Sequence, residues 1–540
     1  MKYPTVSESL LDRLAAQDVH HVFLVPGRQI DPLVKSLAHH ATVRPVLASH
    51  ELAAGYMADG YARASGRVGA TFAIGGPGSA NLIGAAVTAS ADRSPVLFVT
   101  GNIPLAAQGR GEFQDAGPLG SNDVQMFRAA IGTSLLCRHA EDWSDTWAQA
   151  SRQLAARRPV HLSVAMDVQA SPAYPGAIGG DVQADEAVPT PEDDALLPPR
   201  DWLARGRILL VAGQESLAIA GDIRSAAHIF NLSVATETRA RGIVPEDGCH
   251  SSGHVGFMPH PRACKALDPG ADERADRIVA VGCDAASLVT SACDRRPVEA
   301  VSPTVFAAWM QTMPARPGAD EMERRGLWLR QLSAVRRAAP REVLPSQPMS
   351  YTEVVAAVAA NAPLDTLFVV DAGQVRRVAC VSLSCRLPRT LLMAEGMAPM
   401  GWSLGAAIGA KLACPTRPVV ALLGDGAMRM HGIELSTAVR YRLPILYVVF
   451  DNGVYGSVLA RMGTEAEADT ARMPTVDWCA FAGALEVPAI QADDIDALRQ
   501  ALLDVPARCG PRLIVARVRT IEPANPGEAT GIDWGARTAH

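Results

Sequence analysis

Short apolar runs alternate with helical patterns along residues 8–168 of the chain. The apolar runs are interpreted as buried strands, and they lie at residues 21–27, 68–78, 94–102 and 158–168. The predicted helices between them lie at residues 8–17, 51–64 and 80–92. Strands that are apolar on both faces and alternate with helices are typical of a parallel sheet covered on both sides. This part of the chain is therefore predicted to be a doubly wound α/β domain.

The same pattern recurs twice further along the chain. Predicted strands lie at residues 207–213 and 277–283, and then at residues 366–374, 417–426, 443–453 and 511–518. Stretches rich in proline, glycine and aspartate separate these groups and are typical of linkers. The sequence thus predicts three α/β domains, each built on a doubly wound parallel sheet. Their predicted bounds are 1–170, 200–337 and 351–523, with linkers at 171–199 and 338–350 and a flexible tail at 524–540.

The composition fits a globular protein with several cores. The 540 residues are 48% hydrophobic and 20% charged, and 56 acidic against 50 basic residues give a net charge of −6 without a basic patch. Nucleic acid is therefore not an expected partner. No apolar run approaches the ~18 residues that a membrane span needs, and the N-terminus lacks the apolar core of a signal peptide. The ten cysteines form no C-x-x-C pair, so free thiols in a reducing cytoplasm are expected.

The stretch at residues 419–456 carries the strongest chemical signal. An apolar strand ends at Gly424, Asp425 and Gly426 open a helix, and the next apolar strand ends just before Asn452. Because neighbouring parallel strands end on the same edge of a sheet, Asp425 and Asn452 are expected to converge there. A carboxylate and an amide oxygen suit Mg²⁺ or Ca²⁺ better than zinc. The two glycines let the backbone approach a phosphate, so a diphosphate anchored through the ion is predicted.

With this motif the chain resembles the thiamine diphosphate-dependent enzymes of the acetolactate synthase, benzoylformate decarboxylase and pyruvate decarboxylase superfamily. The family signature ends in Asn-Asn, and Asp451 here replaces the first Asn. Further matches follow in the family order: VPG (25–27), HELAAGYMADGYAR (50–63), GGPGSANLIGA (75–85), TGN (100–102), GEFQDA (111–116), DAGQ (371–374) and AAIGAKLA (406–413). The resemblance covers nearly the whole chain and implies pyrimidine-binding, central and diphosphate-binding domains in that order.

The resemblance implies thiamine diphosphate and Mg²⁺ as cofactors. The ion would be held by Asp425, by the Asn452 side chain and by the Val454 carbonyl. A bulky apolar wedge under the bent cofactor is implied at Met400, a residue type that also packs well in ordinary cores. The Ala398 carbonyl would accept a hydrogen bond from the cofactor's amino group. Further cofactor contacts are implied for Pro77, Asn81, Gly373, Gln374, Gly424, Gly426, Ala427, Tyr455 and Gly456.

Glu51 has two interpretations. A glutamate in the first turn of a helix is most often a solvated partner of the helix dipole. However, residues 50–63 fill the family pattern H-E-x-x-A-x-x-x-A-x-G-Y-A-R, which implies that Glu51 pairs with the aminopyrimidine and activates the cofactor. The family joins this glutamate to the metal site of another subunit. A homodimer or homotetramer with active sites at the dimer interface is therefore implied.

The residues near the reacting carbon favour carboligation. Simple decarboxylases of the family often carry a His-His pair after the third strand and an acid six residues beyond the metal Asn. Here residues 100–117 contain no histidine, and Val458 stands at the acid's position. Acetolactate synthases are similar, with an F-Q pair where this chain has Phe113 and Gln114. The resemblance implies decarboxylation of a 2-oxo acid, after which the enamine attacks a carbonyl acceptor and forms a 2-hydroxyketone.

Three alternatives stay open. The first is a non-ligating decarboxylase whose proton comes from Gln108, Gln114 or a water molecule. The second is a flavin-dependent oxidoreductase similar to pyruvate oxidase. The third is a non-catalytic paralogue, which the presence of Glu51, Asp425 and Asn452 disfavours. The strand-end turns at 211–216 and 280–287 could contact the FAD or ADP that some members bind, but without a G-x-G-x-x-G motif neither nucleotide is favoured.

Several positions depart from the acetolactate synthase pattern. Arg28 stands where the family usually has a small or acidic residue facing the reacting carbon. A buried unpaired guanidinium would be very costly, so Arg28 either turns to solvent or binds an anionic group of an unusual substrate. Met397 and Ala398 replace a more glycine-rich stretch, and Trp402 is expected to add bulk near the pocket. These departures make pyruvate a doubtful natural substrate.

Overall fold

A computed structural model of the chain describes residues 3–173, 197–283, 298–335, 348–503 and 510–520. Within these ranges the chain forms three parallel sheets, each covered by helices. The predicted α/β class with three doubly wound sheets is confirmed. The predicted linkers at 171–199 and 338–350 fall largely outside the described residues, and the predicted tail at 524–540 falls wholly outside them.

The first sheet has six strands in the order β2-β1-β3-β4-β6-β5. Its elements are α1 (Val6–Ala16), β1 (His21–Leu24), α2 (Asp31–His39), β2 (Arg44–Leu47), α3 (Glu51–Ser65), β3 (Gly69–Ile74), α4 (Pro77–Ala91), β4 (Val96–Asn102), α5 (Asp123–Ile131), β5 (Ser134–Cys137), α6 (Trp143–Ala155), β6 (Val160–Ala165) and α7 (Met166–Ala170). The central strands β3, β4 and β6 are almost wholly buried, as their apolar runs predict. Their side chains separate into two hydrophobic clusters, one on each face.

The second sheet has five strands in the order β11-β10-β7-β8-β9. Its elements are β7 (Ile208–Ala212), α8 (Ala220–Phe230), β8 (Ser233–Glu237), β9 (Ser251–Val255), α9 (Pro261–Leu267), β10 (Arg277–Val281), β11 (Val298–Val301), α10 (Pro303–Gln311) and α11 (Ala319–Ala334). The turns after β7 and β10 touch, because a Cβ atom on Gly213 would lie 2.0 Å from the Gly282 carbonyl oxygen. The second of the two predicted nucleotide turns, 280–287, lies partly outside the described residues.

The third sheet repeats the strand order of the first, as β13-β12-β14-β15-β17-β16. Its helices are α12 (Tyr351–Asn361), α13 (Gln374–Ser382), α14 (Trp402–Ala413), α15 (Asp425–His431), α16 (Leu435–Arg440), α17 (Gly456–Leu459), α18 (Glu465–Asp469), α19 (Trp478–Ala484) and α20 (Ile495–Leu503). Its strands are β12 (Leu367–Val370), β13 (Leu391–Met393), β14 (Val419–Gly424), β15 (Ile445–Asp451), β16 (Ala489–Ala492) and β17 (Arg512–Arg517). The first and third sheets therefore open equivalent carboxyl edges for ligands.

Helices α3 and α14 join the first and third sheets through a very close contact. A Cβ atom on Gly60 would lie 2.2 Å from the Ala406 carbonyl oxygen, and one on Gly409 would lie 1.8 Å from the Met57 carbonyl oxygen. Only glycine permits backbones to approach this closely. Both helices contribute to one hydrophobic cluster that runs from Phe23 in the first sheet to strand residues of the third.

The described helices are short compared with a bilayer. The longest, α11, has 16 residues, whereas a membrane-spanning helix needs about 20 apolar residues. Within the described ranges, no helix is both long and apolar enough to cross a membrane.

Candidate active site

The carboxyl edge of the third sheet brings Asp425 and Asn452 together, as the strand pattern predicts. Strands β14 and β15 are direct parallel neighbours, with Gly424 paired to Phe450. One Asp425 carboxylate oxygen, Oδ2, accepts hydrogen bonds from the backbone N–H of Gly453 at 2.7 Å and of Asn452 at 3.3 Å. The Asp425 side chain thus holds the turn after β15 through hydrogen bonds from the backbone of that turn.

The electrostatics of this edge favour a cation. Asp425 is 4% exposed. Burial raises the pKa of its carboxyl to about 6, the charge of Asp451 acts in the same direction, and the N–H groups of Gly453, Gly426 and Asn452 act against it. A carboxylate that is both buried and close to a second negative charge gains most from a positive ion.

The side chain of Asn452 is held in one orientation. Its Nδ2 donates to the Tyr351 hydroxyl and to the Thr520 carbonyl oxygen, each at 3.0 Å, and its Oδ1 accepts from the Val454 N–H at 3.1 Å. The Tyr351 ring in turn stacks on Phe450, with centroids 5.0 Å apart. Because the Thr520 carbonyl can only accept, the Asn452 oxygen points away from it and keeps a free lone pair.

A cavity of about 300 Å³ opens beside these residues, and we call it the C-terminal cavity. Eleven of the sequence-predicted site residues line it: Gly373, Gln374, Met400, Gly424, Asp425, Gly426, Ala427, Asn452, Val454, Tyr455 and Gly456. Val458, at the position of the missing acid, lines it as well. Among its described lining residues there is no histidine, and no carboxylic acid other than Asp425.

Two glycines leave space along the C-terminal cavity. A Cβ atom on Gly373 or Gly424 would meet no other atom within 4 Å. Gly424 has φ −80°, which any residue adopts, so its missing side chain provides space. Gly373 has φ +96°, where glycine is also favoured by its backbone. The starts of α13 and α15 therefore border open space, where their N–H groups can meet an anion.

The donor set at this edge fits a magnesium ion bound to a diphosphate. The available donors are a carboxylate, an amide oxygen and a backbone carbonyl, all of them hard oxygen ligands. Within the described part of the chain, no group of three or more His, Cys, Asp or Glu residues could hold a metal ion. A site with one acid leaves coordination positions for phosphate oxygens and water, which Mg²⁺ prefers to an all-protein cage.

The wedge segment, residues 397–400, reaches the same cavity through Met400. Met400 is half-buried and packs against the cluster shared by the first and third sheets. Ala398 has φ +46°, which is unusual for a residue with a side chain. Such a backbone persists only when its surroundings hold it.

Two buried aspartates hold the residues on either side of the wedge segment. Asp92 accepts from the N–H groups of residues 395 and 396, both at 2.8 Å. Asp371 accepts from the N–H groups of Gly401 at 3.0 Å and Ser403 at 2.8 Å. Asp92 ends α4 in the first domain and Asp371 follows β12 in the third, so both domains fix this segment.

The expectation that Trp402 adds bulk near the pocket is wrong. Trp402 is 1% exposed and does not line the C-terminal cavity. Its indole N–H donates to Asp59 at 2.8 Å, and the Arg63 guanidinium lies 5.1 Å from its ring. The side chain therefore stabilises the contact between α14 and α3 and leaves the pocket unobstructed.

The carboxyl edge of the first sheet gathers a second set of predicted residues. Glu51 is the first residue of α3, and its Oε2 accepts from the Asn81 Nδ2 at 2.9 Å. Pro77 opens α4 beside this pair. A cavity of about 640 Å³, which we call the N-terminal cavity, is lined by Pro77, Gln114 and neighbouring loop residues.

The other predicted site residues of the first domain are Arg28, Phe113 and Gln114. Arg28 is exposed and lines neither cavity, so of its two alternatives the single chain shows the solvent-facing one. Phe113 is 81% exposed. Gln114 has φ +56°, and its carbonyl oxygen accepts from the Gln29 Nε2 at 2.9 Å.

Glu51 and Asp425 do not share a cavity within one chain. The described residues that line the C-terminal cavity all lie between Tyr351 and Val458, in the third sheet and its helices. Glu51 is not one of them. Neither the N-terminal nor the C-terminal cavity brings the two side chains together.

Sequence reasoning missed the residues that hold the predicted site in place. Tyr351 orients Asn452, while Asp92 and Asp371 anchor the wedge segment. Asp371 lies within the DAGQ match, but no local pattern marks Tyr351 or Asp92. For Asp92, the available signal was its place directly after an Ala-rich helix. An aspartate that is buried at such a place has to find hydrogen-bond partners.

Two family models match the chain over these two edges. Residues 4–121 match the thiamine pyrophosphate enzyme N-terminal TPP binding domain, and residues 371–516 match the corresponding C-terminal TPP binding domain. The chain belongs to the thiamine pyrophosphate enzymes. Thiamine pyrophosphate is another name for thiamine diphosphate. The N-terminal cavity lies wholly within the first matched region, and all lining residues of the C-terminal cavity except Tyr351 lie within the second.

Several relatives among the thiamine pyrophosphate enzymes match over most of the chain. The acetolactate synthase large subunit of Parasynechococcus marenigrum is 28% identical over 96% of this chain and 88% of its own length. The acetolactate synthase isozyme 1 large subunit of Escherichia coli is 25% identical over 97% of this chain and 95% of its own length. A Pseudomonas aeruginosa protein named "Probable 2-ketoarginine decarboxylase AruI" is 28% identical over 92% of this chain and 91% of its own length.

Proposed function

We propose that the protein is a thiamine diphosphate- and Mg²⁺-dependent enzyme that decarboxylates a 2-oxo acid and joins the remaining acyl unit to a carbonyl acceptor. The observation that carries this proposal is the convergence of Asp425 and Asn452 at a cavity lined with glycine backbone. The bound cofactor supplies a carbon that stabilises the negative charge left when the 2-oxo acid loses CO₂. The product would be a 2-hydroxyketone.

The chain's own residues would anchor the cofactor at the third sheet. Asp425, the Asn452 oxygen and the Val454 carbonyl would hold Mg²⁺, and the ion would bind the diphosphate. Gly373, Gln374, Gly424, Gly426 and Ala427 would surround the diphosphate oxygens, joined by Tyr455 and Gly456. Met400 would support the bent conformation from below, and the Ala398 carbonyl would accept from the amino group.

Glu51 would control the proton that activates the cofactor. A carboxylate that hydrogen-bonds one nitrogen of the aminopyrimidine leaves the opposite amino group able to take a proton from the reacting carbon. Asn81 donates to Glu51 and would keep it oriented, and Pro77 lies at the same edge. Because Glu51 lies outside the C-terminal cavity of its own chain, this role requires a homodimer or a larger homo-oligomer.

The lining of the C-terminal cavity supports carboligation. A carbanion equivalent survives to attack a second carbonyl only where no acid protonates it first. Val458 lines the cavity at the position where simple decarboxylases carry an acid. Residues 100–117, where simple decarboxylases often carry a His-His pair, contain no histidine, and Phe113 and Gln114 match the F-Q pair of acetolactate synthases.

A non-ligating decarboxylase is the second candidate. It is favoured by the 28% identity to the protein named as a 2-ketoarginine decarboxylase. The two candidates differ in their products from one substrate. The purified protein should be incubated with thiamine diphosphate, Mg²⁺ and a panel of 2-oxo acids that includes 5-guanidino-2-oxopentanoate, with and without an aldehyde acceptor. We expect 2-hydroxyketone whenever the acceptor is present, whereas free aldehyde as the only product would reject the ligase proposal.

Replacing Tyr351 by Phe is expected to weaken Mg²⁺ binding about tenfold, because a residue that orients a metal ligand contributes to affinity without touching the ion. The change removes one acceptor of the Asn452 amide and preserves the ring stack on Phe450. Calorimetric titration of Mg²⁺ in the presence of thiamine diphosphate measures the effect. The exposed Tyr3, changed in the same way, is the control. Equal Mg²⁺ affinity in the Tyr351→Phe and unmodified proteins would contradict the role given to Tyr351.

A further inference from the structure

Glu434 is a fully buried carboxylate that has no part in the proposed function so far. It ends the 3-10 turn Gly432–Glu434, directly after α15. Two of its hydrogen-bond donors belong to the other cofactor-binding domain: the N–H groups of Ser49, at 3.0 Å, and His50, at 3.1 Å. The third is the Thr437 hydroxyl, at 2.6 Å. Burial raises the pKa of the Glu434 carboxyl, and these three donors act against that shift by stabilising the ionised form.

These contacts fix the residues just before α3. Helix starts leave N–H groups without partners in the helix, and negative charge is favourable there. Glu434 takes the N–H groups of Ser49 and His50, while the His50 Nδ1 accepts from the Leu52 N–H at 3.1 Å. Glu51 therefore lies between two positions whose backbone N–H groups are held.

A second contact holds the same stretch of chain. The Tyr441 hydroxyl accepts from the Leu47 N–H at 2.8 Å and donates to the Pro45 carbonyl oxygen at 3.4 Å. Leu47 ends β2, an edge strand whose outer side has no neighbouring strand in the first sheet. Residues 45–50 are thus held by residues 434–441 of the third sheet's domain. That domain segment continues directly from α15, which begins at Asp425.

We propose that Glu434 is a positioning residue for Glu51, and this inference rests on the proposed function. Glu434 lines neither cavity and touches no proposed ligand of the cofactor. It acts through the backbone of Ser49 and His50, which sets where α3 begins and where the Glu51 carboxylate points. The domain that binds the diphosphate thereby orients the carboxylate that its own chain offers to another subunit's cofactor.

Glu434→Gln tests the proposal with little change in volume. An amide replaces one acceptor oxygen with an NH₂ group, which faces N–H donors and cannot accept from them. We expect hydrogen exchange at the reacting carbon of bound thiamine diphosphate to slow about tenfold, because small displacements of a catalytic group reduce rates steeply. The affinity for thiamine diphosphate should stay within about twofold, since the diphosphate contacts are unchanged. Acid quenching followed by NMR measures the exchange without any substrate turnover.

The matched control is Glu8→Gln. Glu8 also accepts a backbone N–H before a helix, that of Thr5 at 2.7 Å, but α1 packs in the cluster on the other face of the first sheet. In the Glu8→Gln variant, the exchange rate at the reacting carbon should equal that of the unmodified protein. If Glu434→Gln does not fold, Thr437→Val removes one donor from the same carboxylate, and exchange about threefold slower is expected. The proposal would be overturned by an unchanged exchange rate in Glu434→Gln or, if that variant does not fold, in Thr437→Val.

A double variant separates positioning from general damage. If Glu434 acts through Glu51, then Glu51→Gln with Glu434→Gln should exchange as slowly as Glu51→Gln alone, because the two effects share one path. A further slowing of about tenfold in the double variant would show that Glu434 acts independently of Glu51, against the proposal. If Glu51→Gln alone left exchange unchanged, the proposed function would fail first, and the role of Glu434 would fail with it.

Discussion

Replacing Glu51 by Gln is expected to lower kcat about a thousandfold with any accepted 2-oxo acid, which is within the range for loss of a group that controls proton transfer. The amide keeps the shape of the side chain and its contact distance to Asn81, but it cannot hold the negative charge that the aminopyrimidine requires. Steady-state kinetics with saturating thiamine diphosphate and Mg²⁺ provide the measurement. The KM for the 2-oxo acid should change much less than kcat, because the proposed partner of Glu51 is the cofactor and not the substrate.

Glu141→Gln is the control for this change. Glu141 is an exposed glutamate in a turn of the same domain, and its replacement should leave kcat unaltered. A Glu51→Gln variant with kcat within about threefold of the unmodified protein would be incompatible with a role in proton control. The first interpretation of Glu51, a solvated partner of the helix dipole, would then be the correct one.

Mixing two inactive variants is expected to restore activity. Glu51→Gln should remove proton control, and Asp425→Asn should remove the buried charge that attracts the metal. In a mixed dimer one site carries both changes and the other carries neither, provided that Glu51 and Asp425 of different chains meet. Random reassociation of equal amounts should then recover about a quarter of the unmodified activity, as half of the dimers are mixed and each has one intact site.

The result depends directly on the separation of the two cavities. If Glu51 reached the Asp425 of its own chain, each mixed dimer would contain two defective sites and no activity would return. The control is each variant carried alone through the same dissociation and reassociation, which should stay inactive. Size-exclusion chromatography of the mixture also reports whether the active form is a dimer or a tetramer.

Most interior strands of the three sheets could be predicted from the sequence, whereas the edge strands could not, and the interior strand β8 was also missed. Central strands such as β4 and β14 are continuous apolar runs because helices cover both of their faces. Strands β2, β11 and β16 lie at sheet edges and keep partly exposed, mixed residues. Their sequences therefore resemble loops, and tertiary pairing decides their structure.

The sequence likewise predicted one part of the candidate cofactor site and missed another. Asp425 and Asn452 could be predicted to meet because both follow buried strands of one parallel sheet, and strand ends have a fixed geometry. The residues that hold the predicted site residues come from distant parts of the chain: Tyr351 holds Asn452, and Glu434 holds the backbone just before Glu51. Their side chains act through single hydrogen bonds, which leave no periodic pattern in the sequence.

Single departures from a family pattern were less informative than the matches. Arg28 and Trp402 both pointed to an unusual substrate pocket, yet Trp402 lies in the contact between α3 and α14 and Arg28 faces solvent in the single chain. An indole or a guanidinium changes a pocket only when its rotamer points there. The direction of a side chain depends on packing that the sequence does not display.

The glycine contact between α3 and α14 has a consequence for how this chain can evolve. At Gly60 and Gly409 any side chain would collide with the backbone of the other domain, and backbone cannot move aside as a side chain can. We therefore expect the two cofactor-binding domains to be exchanged only together, although the central domain separates them along the sequence. A gene crossover that brings in one of them from a relative succeeds only if the incoming helix has a compatible glycine at the same depth. A crossover that replaces the central domain leaves this contact intact.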